Sequence, residues 1–174
     1  MPLDPPIHEV TGEDLAPALP QLIELAHDIG SVVEFETITD GSDGYYELDS
    51  RRIAIRQDMA VNAQAKTLIH ELAHALLRAE PSPEDPELER AGEELVVESV
   101  AYTVCGALGL DSAGYSIPYL ASWAPKGDIG TLERTAALID RLARRIETAV
   151  LPGETATPRD TQVSAVEPTQ AIAA

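Results

Sequence analysis

The sequence predicts an α+β fold in which a small antiparallel sheet packs on about four helices, and three observations carry that prediction. The run from Val61 to Ala79 contains neither Gly nor Pro and repeats apolar residues at helical spacing. Short stretches rich in β-branched and aromatic residues fall between residues 32 and 56, separated by turn-forming clusters. The apolar residues are mostly Ala, Leu, Val and Ile, with one Phe and one Trp, which favours helix packing over an aromatic-rich β-sandwich.

A chain of 174 residues holds one domain with a real core. Residues 1–12 are Pro-rich and polar and read as an extended arm, followed by a folded domain over 13–150. A first helix is expected from about Asp14 to Ile29, despite Pro17 and Pro20 near its start, with Gly30 ending it. Val32–Ile38 reads as a strand, the cluster Asp40–Gly44 as a turn and Tyr45–Leu48 as a returning strand; Asp49 and Ser50 then turn into Arg52–Arg56. Such a sheet needs helices on one face to be stable. Val61–Ala79 is the strongest helix, and the Pro-rich segment 81–86 stops it. A second strong helix runs from about Glu87 to Leu108, with Gly109 as its cap. A loop from Asp111 to Lys126 leads to a last helix over Ile129–Val150. Residues 151–174, rich in Thr, Pro, Ala and Gln without periodicity, read as a disordered tail.

The net charge of -18 would repel phosphate backbones, so direct nucleic-acid binding is not expected. Most of this charge reads as solvated surface. Cys105 is the single cysteine, which excludes an intrachain disulfide and makes the cytoplasm the default location. The start, Met1-Pro2-Leu3-Asp4-Pro5-Pro6, lacks the basic and apolar regions of a signal peptide, and no apolar run approaches membrane-spanning length.

The chemical signal is His70-Glu71-Leu72-Ala73-His74, inside the strongest helix. Residues four apart share a helix face, so both imidazoles can bind one metal ion with Glu71 beside it. Neutral imidazole suits zinc, and a catalytic zinc keeps three protein ligands plus an open position for water whose pKa it lowers. Glu71 would be the general base, taking that water's proton and passing it to the leaving amine.

The third ligand should come from the next helix, which returns antiparallel and offers Glu89, Glu93, Glu94 and Glu98. Glu94 and Glu98 share a face that can turn to the metal while Val96, Val97, Val100 and Val104 pack. Glu94 would suffice as ligand, and Glu98 could accept the outer N–H of a ligating His and fix its tautomer. Glu89 and Glu93 are expected to be solvated carboxylates.

Lys66–Leu77, followed by Glu94-Leu95-Val96-Val97-Glu98-Ser99-Val100-Ala101-Tyr102, resembles the ImmA/IrrE family of metallopeptidases, and most closely the peptidase half of ArdC-type antirestriction proteins. The likeness continues through Leu108-Gly109-Leu110-Asp111 and the Tyr-rich segment Tyr115–Trp123, and covers roughly residues 45 to 147. It implies Glu94 as third zinc ligand and a gluzincin-like, zincin-type domain over 13–150. It also implies a sheet edge beside the motif helix that can hold an extended peptide, for which Arg52–Arg56 is the candidate strand. Positions 96 and 97, commonly acidic and Ala in that group, are both Val here. ArdC-type proteins also carry an N-terminal domain for single-stranded DNA, for which the residues ahead of the resemblance leave no room, so DNA binding is not carried over.

Among the remaining residues, His8 and His27 have no ligand-spaced neighbour, and Cys105 reads as a small core residue. Tyr115 is a candidate donor to the oxyanion of a tetrahedral intermediate. The expected function is a zinc endopeptidase acting on a specific protein or peptide substrate. The alternative is a non-proteolytic, zinc-stabilised acidic binding protein that engages a basic partner or mimics DNA, although such a site has no need of Glu71.

Overall fold

The strongest predicted helix becomes the spine of the molecule. In the computed structural model, which describes residues 9–114 and 129–151, helix α2 (Val61–Ala79) buries Leu68, Ile69, Leu72, Ala75 and Leu76 completely or nearly so. Around it pack α1 (Leu19–Asp28), a sheet of β1 (Val32–Glu36), β2 (Gly44–Glu47) and β3 (Arg52–Arg56), α3 (Arg90–Ala107) and α4 (Ile129–Val150). The fold is α+β, as the sequence predicts.

The residue before α2, Ala60, has no side chain able to cap the helix. The N-terminal arm supplies the missing acceptor: the Asn62 backbone N–H donates to the Gly12 carbonyl at 3.0 Å. The Asn62 side chain, 1% exposed, accepts from the Leu15 N–H at 2.8 Å and donates to the Thr11 carbonyl at 2.8 Å. Residues 11–15 are thereby fastened to the start of the spine.

The first helix is shorter than expected. A 3-10 turn, Ala16–Ala18, contains Pro17, and α1 begins only at Leu19 with Pro20 in its first turn, where a missing N–H costs nothing. It ends at Gly30, whose φ of +80° closes the helix as Ser31 N–H donates to the Ala26 carbonyl. α3 starts one turn later than the sequence implies, because Glu89 is extended; Gly109 caps its far end with φ +83°. α4 spans the predicted residues.

The sheet departs from expectation in two ways. Its order is β1-β3-β2, and β1 pairs with β3 in parallel, Val33 opposite Ile53, so the sheet is mixed rather than antiparallel. Only β2 and β3 form an antiparallel hairpin, with Tyr46 opposite Ile53. Consequently Arg52–Arg56 is the central strand and cannot be the free edge; β2 is the edge strand that contacts α2. Gly44 makes that approach possible. A Cβ there would lie 2.7 Å from the Ala54 carbonyl oxygen and 2.7 Å from the Thr67 methyl carbon, both closer than packed atoms tolerate.

One core runs through these layers: Leu22 and Leu25 of α1, Ile53 and Ile55 of β3, the apolar face of α2, Val96, Val97, Val100 and Val104 of α3, and Leu142 and Ile146 of α4. The two valines at 96 and 97 are both fully buried. Arg141 of α4 grips Asp85 at 2.7 and 2.8 Å and the Glu80 carbonyl at 3.0 Å, tying the α2–α3 connection to the last helix. Most of the loop expected between Asp111 and Lys126, and the tail after Leu151, lie outside the described residues.

Candidate metal centre

The four-residue period of α2 places His70 and His74 one turn apart on one face, their ring centroids 5.2 Å apart. The facing helix α3 places Glu94 between them. Its carboxylate oxygens lie 3.5 Å from His70 Nε2 and 3.6 Å from His74 Nε2, and one ligand atom from each of the three residues falls within 4.8 Å of the others. Two imidazole nitrogens and one carboxylate around a common point form a donor set suited to a zinc ion with one position left open.

The outer ring nitrogens are already occupied. His70 Nδ1–H donates to Glu98 Oε2 at 3.0 Å, since a carboxylate can only accept. This is the tautomer-fixing contact that helix periodicity proposes for Glu98. His74 Nδ1–H donates to Glu93 Oε1 at 2.9 Å, which corrects the expectation that Glu93 is a solvated carboxylate; Glu89 is exposed as expected. Both Nε2 atoms are therefore left facing Glu94.

Two cations hold these carboxylates in turn. Lys66 Nζ lies 3.0 Å from Glu98, with both side chains almost fully buried. Arg78 Nη2 donates to both oxygens of Glu93 at 2.8 and 2.7 Å. Sequence reasoning assigns no role to Lys66, Arg78 or Glu93, yet a signal is present: Lys66, His70, His74 and Arg78 recur every four residues along one face of α2.

Charge and burial set the proton affinities. For His70, burial opposes the imidazolium, but hydrogen bonds to Glu94 and Glu98 and the charge of Glu71 outweigh it and push the ring up to about 9. His74 is raised by the same contest, with Glu94 as its main anionic partner. Hydrogen bonds from the two histidines hold Glu94 far below the ordinary carboxylate range. Glu71, 7% exposed, moves the other way: burial raises its carboxyl despite the nearby histidines.

A cleft of about 690 Å³ opens beside His70 and Glu71. Its walls come from the arm at Thr11, the β1–β2 loop at Asp43, the start of β2 at Gly44, the end of β3 at Arg56, and Lys66 and Thr67 of α2. Tyr115, the candidate oxyanion donor, and His8 lie outside the described residues, while His27 is exposed. Cys105 is fully buried and its thiol is pushed up to about 12 by burial, as befits an inert core residue.

An α+β domain whose central helix carries His-Glu-x-x-His, with a glutamate from the next helix closing the constellation, presents a donor set of the kind metallopeptidases use. Residues 26–105 match the family model described as the IrrE N-terminal-like domain (Peptidase_M78), which supports the ImmA/IrrE family of metallopeptidases and accords with a zincin-like fold. No curated protein and no solved structure matches the chain.

Proposed function

We propose that this chain is a zinc-dependent endopeptidase that cuts a specific protein substrate, with Glu71 as general base. One observation carries the reading: His70, His74 and Glu94 converge beside a buried Glu71, and a cleft large enough for a peptide segment opens at His70 and Glu71. His70, His74 and Glu94 would hold the ion. Zinc bound there would lower the pKa of a water molecule toward neutrality and polarise the scissile carbonyl. The raised carboxyl of Glu71 suits a group that must first accept a proton and then surrender it to the leaving amine.

The edge strand β2 replaces Arg52–Arg56 as the element that would pair with an extended substrate. Tyr115 stays the proposed oxyanion donor, and the closer likeness to the ArdC-type peptidase half rests on the sequence motifs alone. A cytoplasmic location and the lack of direct nucleic-acid contact follow from the single cysteine and the charge of -18. None of the described helices is long and apolar enough to cross a membrane.

The decisive comparison is wild type against Glu71→Gln, with bound zinc and peptide cleavage both measured. The variant should keep its metal and lose cleavage by about 10²- to 10⁴-fold. A wild type that carries no metal when purified without chelator would refute the metal centre. If zinc binds and the Gln variant performs like the wild type in every assay, the acidic binding protein becomes the better reading.

A further inference from the structure

We infer that Glu93 and Arg78 are positioning residues for the metal centre, forming a relay to His74 that mirrors the relay from Lys66 through Glu98 to His70. This rests on the metal site proposed above. Each relay runs cation, carboxylate, imidazole, and each cation lies one turn beyond the histidine it serves, Lys66 four residues before His70 and Arg78 four after His74. Arg78 reaches both oxygens of Glu93 and so fixes the plane of the carboxylate, while Oε1 accepts the Nδ1–H of His74 at 2.9 Å. A carboxylate on Nδ1–H locks the ring's tautomer and orientation and makes the opposite nitrogen a better donor to a metal.

The two relays differ in their surroundings. The side chains of Lys66 and Glu98 are 7% and 3% exposed, whereas those of Arg78 and Glu93 are 44% and 16% exposed. The His74 relay is therefore the one that can be altered without breaking an ion pair in the core. The molecule also provides a control in the grip of Arg141 on Asp85, an Arg–carboxylate pair of similar geometry that touches none of the three convergent residues.

The test measures Zn(II) affinity of the full chain by chelator competition, together with the visible spectrum of Co(II) bound in its place. Glu93→Ala should weaken zinc binding about 10- to 100-fold, and Arg78→Ala about tenfold, with Arg78→Lys recovering part of the loss. Glu93→Gln, which keeps the shape, should shift the Co(II) spectrum and decides the matter if Glu93→Ala fails to fold. Arg141→Ala should leave affinity and spectrum unchanged. The Arg78 arm is the sharpest: simple Coulomb repulsion predicts that losing a nearby cation tightens the hold on a dication, and the relay predicts the opposite. Wild-type affinity and spectrum in the Glu93 and Arg78 variants would overturn the relay while leaving the metal site intact. No binding of either metal by the wild type would overturn both.

Discussion

At the scale of single residues, Glu98 and Glu94 do different work although both project from α3 toward the same imidazoles. Glu98 is 2% exposed and touches Lys66 as well as His70, so removing it breaks a buried ion pair. Glu94 is 28% exposed at its side chain and, among the described residues, pairs with the two histidine nitrogens that face the centre. Two orders should therefore be opposite. Glu98→Ala should cost about 3–5 kcal/mol of stability, the usual penalty for breaking a buried pair, and more than Glu94→Ala does. Glu94→Ala should cause the greater loss of zinc. Thermal unfolding and metal content of the purified variants measure both; a larger zinc loss in Glu98→Ala would mean that the third ligand is misassigned. His70, Glu71, His74, Glu94 and Glu98 stand out in the sequence through the His-Glu-x-x-His motif, helix periodicity and, for Glu94, the family resemblance. Glu93 does not, since its partners His74 and Arg78 lie across on α2, and a glutamate beside a charged helix face looks solvated until the partner helix is placed.

At the scale of elements, the contact between edge strand and motif helix depends on one missing side chain. Gly44 lets β2 lie against Thr67, one turn before His70. Gly44→Ala should destabilise by about 1–3 kcal/mol through overpacking. Thr67→Ser, which removes the obstructing methyl, should restore part of that loss, as a double-mutant cycle would show. Strict additivity of the two changes would mean that β2 and α2 do not press on each other at this point. The helices were legible because Gly, Pro and a 3.6-residue period mark them, and α2 and α4 fall on their predicted residues. Strand existence was legible too, but not strand order. Neighbouring runs joined by a turn cluster read as hairpins, whereas the connection 37–43 is long enough to step past one strand, a span of roughly 10 Å, and let β3 pair with β1 instead. Nothing local in the sequence distinguishes these outcomes; the choice lies in which strand Ile53 and Ile55 must occupy to be buried on the helices.

At the scale of the whole molecule, the question is what metal removal does. The apolar core spans α1, β3, α2, α3 and α4, and Lys66–Glu98 and Arg78–Glu93 join α2 to α3 without any ion. The metal-free protein should therefore stay folded, unlike a small domain whose core is its zinc site, and should still melt cooperatively. Protons then take the place of the metal between the ligands. The folded pKa of His70 is raised from 6.5 to about 9, so its contribution to metal-free stability is complete below 6.5 and is lost as pH rises through 9. A shift of that size is worth on the order of a few kcal/mol. Metal binding requires the neutral rings, so its own stabilising effect should grow over the same range as protons cease to compete. The gap in Tm between zinc-loaded and chelator-treated protein should thus widen between about pH 6 and about pH 9.5. A gap that narrows over that interval would mean that His70 and His74 do not exchange protons for the metal, and the shared seat between α2 and α3 would have to be assigned to other residues.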